Sequence, residues 1–257
     1  MALLELKNVT MRFGGVTAID HLSMEVNEGE LVSLIGPNGA GKTTVFNVLT
    51  GVYPNAEGDI FFTGKSILGN SIQDIVKIGI ARTFQNLRVF KTQRVIENVM
   101  MGDALHVDYK IWDLILRTKK FRREERETTQ RALEILTSLG MENLRDAYAA
   151  SLPYGDQRKL EIARAIATGA KLILLDEPAA GLNHTETAEL MEFVRSLCSK
   201  GFTVLMIEHD MNMVMNISDR IYVLNFGKLI ATGKPEEIAN NPAVIEAYLG
   251  GGVDDDE

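Results

Sequence analysis

The stretch Gly36-Pro37-Asn38-Gly39-Ala40-Gly41-Lys42-Thr43-Thr44 constrains the fold more than any other part of this chain. It satisfies the phosphate-loop pattern G-x-x-x-x-G-K-[ST] in the surroundings that the pattern requires. An apolar strand, Leu31 to Ile35, runs into it. Thr44 to Thr50 leaves it with Val45, Val48 and Leu49 on one helical face, stopped by Gly51. Glycines let the backbone wrap a phosphate with no Cβ in the way, so that successive N–H groups point inward as an anion-binding nest. The N-terminus of the following helix adds partial positive charge. Asn38, Gly39, Ala40, Gly41, Lys42, Thr43 and Thr44 are therefore the candidate nucleotide-binding residues. The Lys42 ammonium reaches the β- and γ-phosphates, and the Thr43 hydroxyl is a ligand for Mg2+.

Further polar groups close apolar strands elsewhere. The fully apolar run Leu172-Ile173-Leu174-Leu175 ends in Asp176-Glu177-Pro178, the pattern of a central parallel strand delivering carboxylates to the C-terminal edge of a sheet. Asp176 suits Mg2+, and Glu177 suits general-base work on a water. The strand Thr203 to Ile207 ends in Glu208-His209-Asp210, which puts His209 on the same edge, where it can bind the γ-phosphate and orient Glu177, or is a structural histidine. Gln85 closes Ile80-Ala81-Arg82-Thr83-Phe84; its amide can serve Mg2+ and the attacking water, or it is a solvated loop residue. Phe13, just before the Gly14-Gly15 turn, either stacks on an adenine base or packs in the core.

From Val95 to Gly140 the apolar spacing turns helical and marks a second lobe. Within it, Ile111-Trp112-Asp113-Leu114-Ile115-Leu116 is more apolar than one buried stripe needs. It is either a docking surface or the core of the lobe, and the core is preferred. Lys119 to Glu127 reads as a solvated mixed-charge face. Ser151 to Gln157 breaks the pattern with a proline and a glycine, and a helix resumes from Arg158 to Ala167.

Composition sets the outer limits. A chain of 257 residues buries a sizeable core as one large α/β unit. The formal charge of -8 argues against general binding of nucleic acid or anionic membrane, without excluding a local basic patch. Cys198 is the only cysteine, so there is no disulfide framework and no multi-cysteine metal site; a buried structural thiol is expected. No signal peptide and no run of 18 apolar residues is present, so a cytosolic protein is expected, reaching a membrane only through another protein.

In this order the motifs resemble the ATP-binding subunit of ABC transporters, over nearly the whole chain. Arg12-Phe13-Gly14-Gly15, Ile80-Ala81-Arg82-Thr83-Phe84-Gln85-Asn86 and Leu152-Pro153-Tyr154-Gly155 resemble the branched-chain amino-acid importer ATPases. The resemblance implies a P-loop core with a mixed sheet and an N-terminal antiparallel β-subdomain, residues 1–87 and 168–249. Residues 88–167 form an inserted helical subdomain, and 250–257 a disordered acidic tail. It implies ATP and Mg2+, with Thr43, Gln85 and Asp176 at the metal. A second ATPase subunit is implied, making a heterodimer in which Gly155, beside Tyr154, meets the partner's ATP. Two permeases and an extracytoplasmic binding protein complete the assembly at the cytoplasmic face of the inner membrane; nucleic acid has no part in it. The signature usually reads Leu-Ser-Gly-Gly-Gln. Here Pro153 lacks a hydroxyl and an N–H, Asp156 brings negative charge, and Asn183 stands where many relatives have Asp. A motor for urea or lipopolysaccharide, or a soluble ABC ATPase without a permease, are the alternatives; the lack of a long heptad run argues against the latter.

Overall fold

The computed structural model describes residues 2–108 and 110–249; the expected acidic tail lies outside them. In chain order the strands and α-helices are β1 (Ala2–Phe13), β2 (Val16–Asn27), β3 (Leu31–Ile35), α1 (Lys42–Leu49), β4 (Glu57–Phe62), β5 (Lys65–Ser66), α2 (Ile72–Lys77) and β6 (Ile80–Arg82). Then come α3 (Val95–Gly102), α4 (Ile111–Ile115), α5 (Lys119–Ser138), α6 (Tyr154–Ala167), β7 (Leu172–Asp176), α7 (His184–Ser199), β8 (Thr203–Ile207) and α8 (Met211–Ile217). The chain closes with β9 (Arg220–Asn225), β10 (Lys228–Gly233), α9 (Pro235–Ala239) and α10 (Pro242–Leu249).

Two sheets organise the core. One is antiparallel, in the order β2-β1-β4-β5; the other runs β10-β9-β3-β8-β7-β6. In the second, β6, β7, β8, β3 and β9 are parallel and β10 is antiparallel to β9, so the sheet is mixed. Strands β3, β7 and β8 are buried along their whole length. Their side chains alternate: Leu31, Ile35, Ile173 and Leu175 face a core shared with α3, α5, α6 and α7, whereas Val32, Leu34, Leu172 and Leu174 face the antiparallel sheet and α1. Burial on both faces is why these strands read as unbroken apolar runs.

Two expectations about the helical region change. Helix α6 opens at Tyr154 rather than Arg158, because Pro153 is its N-cap and Pro cannot extend a helix further back. Trp112 is 68% exposed and α4 has no buried residue, so the preferred reading of this segment as core is wrong. The lobe is packed instead by α3, α6 and a stripe of α5 through Thr128, Ala132 and Leu136.

The Cys198 thiol, packed against the α7 side of the core, is pushed up to about 11 by burial, with the Asp219 carboxylate adding to the effect. Only the thiolate is nucleophilic, so at pH 8 iodoacetamide should modify it about a hundredfold more slowly than free cysteine. Mass spectrometry over time checks this, and modification at the free-cysteine rate would contradict it.

Candidate functional site

Strand β3 delivers the glycine loop to the edge of the mixed sheet, and α1 leaves it with Gly41 as N-cap. A Cβ on Gly36 would strike the Leu224 carbonyl oxygen, and one on Gly41 that of Ala18, so both positions need glycine. No side chain caps α1, which leaves its first N–H groups facing the loop. Lys42 is buried and its Nζ donates to the carbonyl oxygens of Gly36 and Pro37, at 2.6 and 2.8 Å. Burial lowers its pKa, and the Glu177 carboxylate opposes that. The ammonium therefore waits across the loop, held by weak acceptors that a phosphate displaces. Thr43 is exposed, Asn38 and Gly39 form the outer lip, and Ala40 is buried beneath it.

The acidic edge assembles beside this loop. Asp176 ends β7, and the Glu177 N–H donates to the Ile207 carbonyl, prolonging the β7–β8 ladder by one residue. Glu177 has φ 48°, a left-handed conformation that costs a non-glycine residue of order 1–3 kcal/mol and commonly marks a functional position. Its carboxylate is held from both sides: Gln85 Nε2 donates to Oε2 at 2.6 Å, and His209 Nε2 lies 2.9 Å from Oε1. The structure thus brings Gln85, Glu177 and His209, from three separate strand ends, into one hydrogen-bonded group. Glu208 is buried behind it, accepting from the N–H groups of Ala179, His209 and Asp210. Burial raises the Glu208 pKa against those bonds.

Two arginines that the sequence reading left without a role tie the group together. Arg82 donates to Asp176 Oδ2 at 2.6 Å and to Asn47 Oδ1 of α1 at 2.7 Å, with its guanidinium against the rings of Phe46 and Phe84. Arg158, on α6, donates to the carbonyls of Phe84 and Gln85 and to the Tyr154 hydroxyl. It joins the helix after Gly155 to the loop that carries Gln85. An arginine at a strand end is the available signal for the first; nothing local marks the second.

The remaining candidates lie apart from the carboxylates. Phe13 is half-exposed and meets Tyr53 edge-on, with ring centroids 5.0 Å apart. Gly155 is buried in the first turn of α6, and the Tyr154 ring lies on Gly181. Asp156 is not a free charge: Lys159 Nζ bridges it to Glu189, at 3.2 Å from each. Asn183 caps α7, accepting from the Glu186 N–H while the Glu186 carboxylate accepts from its own.

The oxygen donors on this edge are of the kind a small hard cation takes, among them the Asp176 oxygen that Arg82 does not engage. The Thr43 hydroxyl, one oxygen of Asp176 and the Gln85 carbonyl are too few for a closed cage and leave positions for water and substrate, as Mg2+ prefers. Among the described residues no cluster of three His, Cys, Asp or Glu could hold a metal by itself.

The family model described as ABC transporter matches residues 19–180. The chain belongs to the ABC transporter family. This ABC cassette also matches, over residues 228–254, the model described as branched-chain amino acid ATP-binding cassette transporter. It is 48% identical over 249 residues to the high-affinity branched-chain amino acid transport ATP-binding protein LivG of Salmonella typhimurium, covering 96% of this chain and 98% of the relative. To BraF of Pseudomonas aeruginosa, named in the same terms, it is 45% identical over the same shares. Among solved structures, a nucleotide-free ATP-binding cassette from an ABC transporter superposes with a TM-score of 0.82 at 35% identity, covering 96% of this chain and 99% of that one. A cassette in its ADP conformation gives 0.84 at 34% identity, covering 97% and 99%. An ABC ATPase domain of this kind binds ATP with Mg2+ and hydrolyses it. No helix among the described residues is long and apolar enough to cross a membrane.

Proposed function

We propose that this chain is the motor subunit of an ABC importer, hydrolysing ATP to drive uptake of branched-chain amino acids through partner permeases at the cytoplasmic face of the inner membrane. The observation that carries the motor reading is the Gln85–Glu177–His209 group on the edge beside the glycine loop. The cargo rests on the likeness to LivG and BraF along almost the whole chain.

Each residue has a distinct task. The N–H groups of residues 38–44 and the Lys42 ammonium hold the phosphates, and Phe13 with Tyr53 offers an aromatic face to the base. Thr43, Asp176 and Gln85 hold Mg2+, which when bound supplies positive charge to the transferring phosphoryl group. Glu177 takes the proton of the attacking water through an oxygen released by Gln85. His209, at Nε2, keeps the other oxygen in place and turns toward the γ-phosphate. Gly155 and Tyr154 face the nucleotide of a second, different ATPase subunit. An apolar groove of about 530 Å³ between α3 and α5, lined by Met100, Met101, Leu114 and Phe121 among others, receives a helix of the permease. An extracytoplasmic binding protein delivers the cargo.

The test is affinity capture of the Glu177→Gln variant, loaded with MgATP, from detergent-solubilised native membranes. Two multi-span permeases and a second ATPase should come with it, and leucine should bind the associated binding protein; soluble proteins alone would overturn the reading. In the same complex, Pro153→Ser with Asp156→Gln removes a charge near the partner's ATP that Lys159 only partly offsets. ATPase turnover should rise about two- to fivefold, and no change would show that this signature does not limit the motor.

A further inference from the structure

The exposed segment around α4 serves no purpose in the ATPase reaction. Ile111, Trp112, Ile115 and Leu116 are each between 61% and 71% exposed, although α4 is well made: the Asp113 carboxylate accepts from the Lys110 N–H and the Thr118 hydroxyl, bonds that hold it below the usual carboxylate range. Water around four large apolar side chains on a short, ordered helix is unfavourable, and scattered exposure does not explain a contiguous group.

Charge says what covers it. Residues 110–126 carry seven Lys and Arg against three Asp and Glu, in a chain whose overall formal charge is -8. Directly after the α4 tip, Arg117 turns the chain at φ 45° and α5 begins. Lys119, Arg122, Arg123 and Arg126 then follow at helical spacing on one face of α5, opposite the side that buries Thr128, Ala132 and Leu136. Arg123 has only loose partners, at 3.7 Å in Glu124 and Glu127, and Lys120 reaches Asp108. Lys110, Arg117, Lys119 and Arg122 make no ion pair among the described residues. Bulky apolar side chains with a tryptophan, bordered on both sides by unpaired lysine and arginine, have the composition of a segment lying in the headgroup layer of a bilayer. An anionic leaflet attracts this corner and repels the acidic remainder, which fixes the orientation of the approach. A protein-docking surface is also enriched in tryptophan and arginine, but it is depleted of the lysine that supplies Lys110, Lys119 and Lys120 here.

We propose that α4 and the basic face of α5 form a contact site for anionic phospholipid, with Trp112 and its apolar neighbours at headgroup level and the α5 lysine and arginines on lipid phosphates. The subunit would then touch the bilayer itself, which the sequence reading assigned wholly to a partner protein.

Trp112 is the only tryptophan, so the site carries its own reporter. The full-length protein is mixed with vesicles of phosphatidylcholine alone, or with about a third phosphatidylglycerol, and emission and co-sedimentation are read. A blue shift and sedimentation with the anionic vesicles only, both weakened by 0.5 M salt, are expected. Arg122→Ser with Arg126→Ser should lower the partition constant about fivefold per charge, with unchanged circular dichroism showing that the fold is kept. An unshifted spectrum with both vesicle types, a shift equal in both, or a shift seen only with purified permease would each overturn the proposal. The vesicles contain no permease, so a negative result leaves the transport reading standing.

Discussion

Glu177→Gln should lower ATP turnover by about 10²–10⁴-fold, the usual contribution of a positioned general base, while ATP still binds. The two consequences separate because the carboxylate and the phosphate contacts belong to different parts of the site. Lys42, the glycines and the α1 N-terminus are positioned by β3 and by close backbone approach to Leu224 and Ala18, and residue 177 reaches them only through the charge with which its carboxylate favours the Lys42 ammonium. The glutamine has the same shape, so the left-handed backbone at φ 48° and the ladder bond to Ile207 persist. What disappears is the capacity to accept a proton from water. The amide oxygen can still accept from Gln85, at the 2.6 Å contact, while its NH2 can only donate, so the 2.9 Å contact to His209 Nε2 is kept only with the imidazole in the tautomer that accepts there. Phosphate release under single turnover, with nucleotide affinity measured in parallel, checks the prediction. Turnover within tenfold of the parent would mean that the proton leaves by another route.

How far the sequence disclosed this arrangement depends on how local its determinants are. The glycine loop is legible because strand, turn and helix are contiguous, and their residue types answer to one ligand. The doubly buried strands are legible for a similar reason: burial on both faces removes the polar alternation, and Asp176 and Glu177 stand out at the end of an apolar run. Trp112 was misplaced because apolar content states that a face wants cover without stating where the cover comes from. The lobe fills its interior from an i, i+4 stripe of α5 that includes Glu124 and Thr128, so polar residues occupy positions that the apolar α4 segment was expected to take. Asp156 reads as a bare charge in the sequence, but Lys159, three residues on, lies against it. Arg158 illustrates the remaining limit. Its partners, the Phe84 and Gln85 carbonyls, are over seventy residues away and are backbone atoms, which carry no identity in a sequence.

Arg82→Met should destabilise the fold by about 3–5 kcal/mol, the cost of stranding one member of a buried ion pair. In a chain of this size that lowers the melting temperature by roughly 10 °C. Both side chains are nearly inaccessible, 8% for Arg82 and 10% for Asp176, so water cannot replace the lost partner. Asn47 loses its donor as well, and Phe46 and Phe84 lose the cation between them. Part of the cost is offset beforehand, because Arg82 Nε is already buried without a partner and leaves with the side chain. The double variant Arg82→Met with Asp176→Asn tests the cause. With no stranded charge left, it should recover most of the stability, since removing both partners of a buried pair is far less costly than removing one. ATPase activity should be low in the double variant whatever its stability, because the asparagine is neutral and a poor ligand for Mg2+. If the single variant melted with the parent, Arg82 would be solvated rather than structural. If the double variant stayed as unstable as the single one, the stability would lie in the packing of Arg82 between the two rings rather than in its charge.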